Sequence, residues 1–375
     1  MNRSRGFSMV ELMVAVTLAL VVSAAAIAVF VASRSSYLST SGTAALADAG
    51  RFALDFIQNG VRAAGYMACN TTARQTSLLS LPPSPVYANF TQALGGFEAV
   101  GSAPGAAYTT SATPVSLAAP AVPDPTTSDW LSPLGVAPAG LDPALAGLVL
   151  QHNDVLVVYS QLRNAQTVYL TAPISTGDTS FAVNTAGSLS AGQLATVSDC
   201  AKSMVVWISS VAGTSVTLTS GGWPNNSVSS SPLSFAMGSE VAPVDTTIFY
   251  IGQGADGDGA LFSYDLNGGG TFTATELVPD IEAMQILYGM DTTGTQTVGE
   301  YVTADAVVTA TSPLLSFNNV MSVKVALLAA SQPGAVPMPA AAPTFDLLGT
   351  TVTAPIDTRA RQVFEMTIGV RNMAL

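Results

Sequence analysis

The chain has one histidine and two cysteines in 375 residues. Chemistry that needs clustered imidazoles or thiolates, including zinc sites and CxxC redox motifs, has almost no material here. Charge is scarce as well. Asp, Glu, Lys and Arg make up 10% of residues, against roughly a quarter in ordinary soluble domains. Bases are the scarcest, 12 against 24 acids for a net charge of −12, so the footprint of a nucleic-acid binder is missing. With 49% hydrophobic residues, the chain is also not a charge-rich disordered polymer. Its length allows two average domains or one elaborate one.

What is abundant is concentrated near the start. From Leu12 to Ala32 run 21 residues without a charge, enough for a helix spanning roughly 30 Å, the thickness of a bilayer's hydrocarbon core. A secretory signal peptide, with Arg3 and Arg5 as its positive region, is the plain alternative. The run is longer than the usual signal core of about 7–15 residues. Only Ser23-Ala24-Ala25-Ala26, inside the run, offers a cleavage-like site, and the acid Glu11 sits at the edge of the block. A carboxylate at a membrane is costly and is usually paired and functional. Cleavage after Gly6 would give Phe7 a new α-amino group four residues before Glu11, at helical spacing or within reach of a staggered neighbour.

The stretch Gly6-Phe7-Ser8-Met9-Val10-Glu11, after a short basic leader, resembles the class III signal of type IV prepilins and type II secretion pseudopilins. The resemblance implies that a prepilin peptidase cuts after Gly6 and methylates Phe7, and that Glu11 guides assembly. Arg3 and Arg5 before the span, with acids in excess beyond it, place the N-terminus in the cytoplasm by the positive-inside rule. An ordinary bitopic anchor with a chance glutamate is the bland alternative.

Past the span the pattern becomes amphipathic. Leu46, Ala49, Ala53, Phe56 and Gly60 recur near 3–4 residue spacing, flanked by Phe52 and Ile57, and no proline appears until Pro82. One helix from about Ser8 to Ala64 is predicted, with Gly42 as a weak point and Gly65 as its C-terminal cap. Residues 78–148 are rich in Pro, Ala, Ser and Thr, a density predicted to exclude long helices and central strands. From Asp154 onward the pattern is β. Strands are predicted at 155–159, in hairpins 203–209/215–219 and 246–251/261–265, and at 281–288, 320–328 and 363–371, the last alternating as a half-buried antiparallel strand. The fold class is therefore α+β.

Residues 50–57, 62–66, 276–278, 281–291, Tyr301, 323–327, 357–364 and 371–372 are similar to the PilW branch of minor pilins, although Phe317-Asn318-Asn319 stands where that family often carries a tryptophan. The resemblance implies a pilin-like architecture, with the long helix packed on an antiparallel head. The division is then a leader at 1–6, a transmembrane or filament-core helix at 7–33, its amphipathic continuation at 34–65, and a periplasmic β-rich head at 66–375 with an irregular insertion at about 78–148. It further implies a non-enzymatic minor pilin, without cofactor, that primes type IV pilus assembly and helps form the tip complex. Its partners would be other minor pilins, the major pilin, a tip adhesin, the inner-membrane assembly platform and the prepilin peptidase. A type II secretion pseudopilin and a membrane-anchored periplasmic enzyme are the alternatives.

Cys69 and Cys200 form an even pair outside the cytoplasm, which reads as a disulfide, with two free buried thiols as the alternative. PilW-type chains carry cysteines at both places. His152 reads as a solvent-facing strand start. Asp256-Gly257-Asp258-Gly259 imitates the opening of a calcium loop, but no closing glutamate follows at the required place, and a hairpin turn is the preferred reading. Gly268-Gly269-Gly270 reads as a turn. No catalytic or metal-binding residues are assigned.

Overall fold

In the computed structural model the described residues are 8–69, 75–80, 89–110, 130–131, 145, 147–219, 225–267, 271–307 and 316–373. The apolar run and the amphipathic stretch after it form one helix, α1, Met9–Ala63. Its 55 residues reach about 80 Å. Ser8 caps it: the Ser8 hydroxyl accepts the Val10 N–H at 3.2 Å, and the Glu11 carboxylate accepts the Ser8 N–H at 3.0 Å. This reciprocal box satisfies donors that the first turn leaves unpaired. Gly42 does not break the helix. At the far end Gly65 takes φ +73°, the left-handed conformation that ends a helix at low cost in glycine.

Eight residues of α1 are buried: Gly42, Leu46, Gly50, Ala53, Leu54, Ile57, Gly60 and Val61. The expected aromatic members of this face are displaced. Phe52 is 60% exposed and Phe56 37%. The reason lies opposite Gly50, where a Cβ would overlap the Phe364 ring. The sheet supplies the bulky aromatic, so the helix must present small residues there, and its own phenylalanines turn outward.

The sheet facing the helix has four antiparallel strands. They are Ile281–Met290, Glu300–Val302, Val320–Ala330 and Arg361–Gly369, in the order 300–302, 281–290, 320–330, 361–369. In the last strand Phe364, Met366 and Ile368 share the face that meets α1, as the alternation predicts.

A twelve-stranded sheet forms most of the rest of the described head, beside a three-stranded sheet of Ala107–Thr109, Thr344–Leu347 and Thr350–Thr353 and a two-stranded ladder of Leu79–Ser80 with Asn225–Asn226. Its spine is Glu240–Gln253, a 14-residue strand that changes partners along its length. Residues 240–243 pair with Leu194–Ser198, 244–249 with Val155–Gln161, and 247–253 with Gly259–Asn267 on the other side. The predicted hairpins are present, as Ser203–Ala212 with Ser215–Leu218 and as the Gly252–Gly259 connection.

One expectation fails here. Leu94–Ala99, within the proline-rich stretch, is a fully buried strand paired with Val155–Gln161 on one side and Trp130–Leu131 on the other. The prolines explain it: none falls between Pro85 and Pro104, so this segment keeps every donor a ladder needs. Much of the remaining insertion, like Gly268–Gly270, lies outside the described residues. One core joins α1 (Leu46, Ala53, Leu54, Ile57, Val61), the four-stranded sheet (Met284, Ile286, Val325, Leu327) and the near face of the large sheet (Leu94, Leu156, Phe249). Two further cores lie within the large sheet.

Candidate functional site

The first site is the start of α1. Every residue from Ser8 to Tyr37 is exposed, and the apolar run has a mean hydropathy of 2.7 over its strongest window with none of it buried. Side chains such as Leu20, Val22 and Phe30 stand 64–68% exposed, a surface that water disfavours strongly. Its one acid, Glu11, lies in the first turn with its carboxylate aimed back toward the N-terminus, where the helix dipole favours negative charge. Gly6 and Phe7 lie outside the described residues. The sequence held a signal for this geometry that the motif reading passed over: Ser-x-x-Glu before an apolar run is a capping box.

Just beyond the other end of α1, Cys69 and Cys200 are bonded, with an Sγ–Sγ distance of 2.10 Å and Cα atoms 4.9 Å apart. The bond links the segment after α1 to the turn between strands 194–198 and 203–212.

The second site is a charged seam built by Asp357-Thr358-Arg359-Ala360-Arg361. The Arg361 side chain is 2% exposed. Its Nε and Nη2 donate to both Glu282 oxygens at 2.7 and 2.9 Å, while Nη1 and Nη2 donate to Asp357 at 2.8 and 2.6 Å. That double fork holds Asp357 below the usual carboxylate range, chiefly through the Arg361 hydrogen bond. Arg359 donates to Asp280 at 3.2 Å and also to Asp258. The Asp256–Asp258 turn is a hairpin turn, and a third carboxylate, Asp280, comes within 4.8 Å of the other two. The Arg359 guanidinium supplies positive charge to this cluster.

Behind the seam lies a cleft of about 500 Å³, lined in part by Tyr108, His152, Asp258, Glu282, Arg359 and Arg361. His152 departs from expectation. It sits half-buried in a turn at φ +62°, stacks on Tyr108 with ring centres 4.9 Å apart, and has Nδ1 3.2 Å from the Val100 carbonyl oxygen. Both arginines of the cleft are already held by carboxylates, which makes it a clamp between strands.

Deeper still is a pair of carboxylates that sequence reading missed. Asp154 accepts the Ala99 N–H at 3.0 Å and the Ile286 N–H at 2.8 Å, so one side chain stitches the large sheet to the four-stranded sheet. Its neighbour Asn153 accepts the Met284 N–H at 2.8 Å. Glu98 is buried beside Asp154. Burial, then the charges of Asp154 and Asp305, push its pKa far upward, so it is a neutral acid at pH 7. Burial raises Asp154 too. The available signal was an acid inside the apolar run Gly95-Gly96-Phe97-Glu98-Ala99-Val100.

Comparison with known proteins places these features. The family model described as "Type IV Pilus-assembly protein W" (PilW) matches residues 248–372, which hold the four-stranded sheet and the charged seam. The model of the prokaryotic N-terminal methylation motif matches residues 1–27, which hold Glu11 and most of the apolar run. A type IV-like pilin from Thermus thermophilus is 20% identical over 36% of this chain and 70% of that chain, with a TM-score of 0.21, too low to bear on the fold. Among curated proteins no relative matches.

Proposed function

We propose the following role for this chain, which belongs to the PilW family of type IV pilus proteins: it is a minor pilin that primes pilus assembly and helps form the tip complex. The observation that carries the reading is the division of α1 into an exposed apolar half and a half packed into the head. Such a helix needs lipid before assembly and other helices after it. In this role prepilin peptidase cuts between Gly6 and Phe7 and methylates the new Phe7 amine. Arg3 and Arg5 keep the N-terminus cytoplasmic, and the head lies in the periplasm until the chain enters the pilus.

Glu11 then serves as the counter-charge for an amine. In the intact chain its carboxylate already engages the Ser8 amide, one residue after the new terminus. During extraction from the bilayer it would pair with the Phe7 amine of its own chain or of a neighbour, because a stranded charge in that environment costs about 3–5 kcal/mol. Partners follow from the role: other minor pilins, the major pilin, a tip adhesin and the assembly platform. A type II secretion pseudopilin would share the N-terminal motif, and the match over residues 248–372 favours the pilus reading. The pilins this chain resembles are structural proteins, and the clamp-like cleft suits that class.

The test is Glu11→Ala in cells. The expected outcome is normal membrane insertion with sharply reduced piliation and loss of minor-pilin complexes. Normal piliation would refute the assembly role of Glu11. Replacing Gly6 with a bulky residue should leave the leader attached, as read by intact mass.

A further inference from the structure

On one side the four-stranded sheet ends in a strand with an open edge. Arg361–Gly369 is hydrogen-bonded to Val320–Ala330, and among the described residues no strand pairs with its other side. The direction of each backbone group follows from the ladder. The Ser331 N–H donates to the Ala360 carbonyl at 2.8 Å and the Val370 N–H to the Met321 carbonyl at 2.9 Å. Between these two bonds the register runs unbroken, from Ala330 opposite Arg361 to Ser322 opposite Gly369. Bonded pairs alternate in an antiparallel ladder, so the even-numbered residues direct their N–H and C=O groups to the neighbouring strand. Val363, Glu365 and Thr367 aim theirs outward, and no hydrogen bond from a described residue reaches them.

An open edge invites pairing with another chain, and proteins blunt such edges by shortness, bulges, proline or lysine. Two other edges of the head are blunted in these ways. Glu300–Val302, across the same sheet, is three residues long. Thr271–Pro279, an edge of the large sheet, shifts register where it passes Leu261 and Phe262 and ends in proline. Strand 361–369 has nine residues, an unbroken register, no proline and no lysine. Ile368 is its one buried residue, whereas strand 320–330 is buried at nine of eleven positions. Of its two charges, Arg361 is turned inward onto Glu282 and Asp357, and Glu365 stands exposed, outside every described ion pair.

What fits this edge follows from its geometry. A row of alternating N–H and C=O groups is matched by another extended backbone, which adds itself as a strand. Phe364 and Met366 are only partly buried against α1, so apolar side chains on that face of the added strand would cover their open side. On the opposite face Glu365 favours a lysine or arginine across from it. A second copy in a closed pair does not fit. A Gly50 Cβ would meet the Phe364 ring, Gln58 Nε2 donates to Met366 Sδ at 3.2 Å, and Asn372 Nδ2 donates to the Ala64 carbonyl at 2.7 Å. The strand therefore climbs in the same sense as α1. Two copies anchored in one membrane present their edges in the same sense, which closes antiparallel pairing to them. A two-fold axis along α1 would set each outward residue level with its own copy, whereas a parallel ladder sets an outward residue against one turned away.

We propose that the outer edge of strand 361–369 accepts an extended segment of a different chain as an added strand, apolar beside Phe364 and Met366 and basic beside Glu365. The choice of a different chain rests on the reading of the protein as an anchored pilus component; the open edge does not. The test has two arms. In the first, amide hydrogen exchange is read residue by residue on the full chain in detergent micelles. It is measured alone, with a peptide alternating threonine and valine around a central lysine, and with the same peptide methylated on its threonine and lysine amides. In the second, cells carry Glu365→Lys or Thr367→Pro, and the chain recovered with sheared pili is compared with wild type. Thr367→Pro removes an outward donor and places a ring where the added strand would lie. Glu365→Lys leaves the backbone alone and repels a basic partner, so it serves even where the proline variant does not fold.

The first arm should show fast exchange at Val363, Glu365 and Thr367 beside slow exchange at Phe364, Met366 and Ile368. The peptide should slow the first three at least tenfold, and its methylated form should not. Equal protection of both sets in the chain alone would mean that the edge is already covered and would overturn the proposal, as would a peptide without effect. In the second arm recovery should fall about tenfold for Thr367→Pro and severalfold for Glu365→Lys, with thermal unfolding of the head near wild type. Wild-type recovery of both variants would overturn the docking edge and leave the pilus reading intact. Absence of the wild-type chain from pili would overturn the pilus reading and the choice of partner with it, while the first arm decides the edge separately. A wild-type dimer in micelles that Thr367→Pro abolishes would assign the edge to a second copy and overturn the assignment to a different chain.

Discussion

The two halves of α1 share one backbone and differ in what covers them. Below Leu38 every described residue of the helix is exposed, and the run from Leu12 to Ala32 is uncharged and largely aliphatic. Above it the buried positions alternate small and large, and glycine stands where the sheet comes closest. The lower half has no partner among the described residues. The upper half is written for one fixed partner, and its exposed aromatics Phe52 and Phe56 face away from it. Substitutions in the lower half should change anchoring and assembly while leaving head stability alone; those in the upper half should do the reverse.

The largest expected effect comes from the covalent tie just past the upper half. Replacing Cys69 and Cys200 with serine opens a loop with a sequence separation of 131, worth about 4–5 kcal/mol in the chain-entropy model. Thermal unfolding with and without reductant should show the loss in wild type only on reduction, and in the double variant always.

Next is Arg361→Ala, which leaves Glu282 and Asp357 half-buried without their partner. A loss of about 3 kcal/mol in denaturant unfolding is expected, less than for a fully enclosed pair because both acids retain some solvent. Gly50→Val should cost about 1–3 kcal/mol by forcing Phe364 aside, whereas Leu20→Ala should leave head unfolding unchanged. If both substitutions destabilised the head equally, the contrast between the halves would be wrong.

The subtlest effect is one of pH. Glu98 titrates at 4.5 when unperturbed and far higher in the fold. Above pH 4.5 the native state therefore holds a proton that the unfolded chain has released. Stability falls as pH rises through that window, by at most about 1.4 kcal/mol per pH unit for this group. Glu98→Gln should flatten the slope, so the variant gains on wild type between pH 5 and pH 8. An unchanged slope would mean that Glu98 is solvated.

How much of this could be read from the chain follows the range of the interactions. The helix, its C-terminal glycine, the alternating last strand and the prepilin-like start are local patterns, and each was legible. The packed face of α1 was legible only in part, because the small residue at Gly50 answers to Phe364, some 300 residues away. Arg359 and Arg361 stood in a recognisable stretch, yet their partners Asp280 and Glu282 lie 79 residues upstream. Glu98 and Asp154 were invisible as a pair because only the meeting of two sheets brings them together. The buried strand at 94–99 shows that composition averaged over 71 residues conceals a proline-free window within it.

The bond between Cys69 and Cys200 gives the molecule a mechanical property. A pull along the axis of α1 does not reach the head through side-chain contacts alone. Six residues past Ala63 the load passes into a covalent link and from there into the broad sheet. Peeling the rod away from its own sheet thus loads the turn at Cys200 directly and spares the chain between the two cysteines.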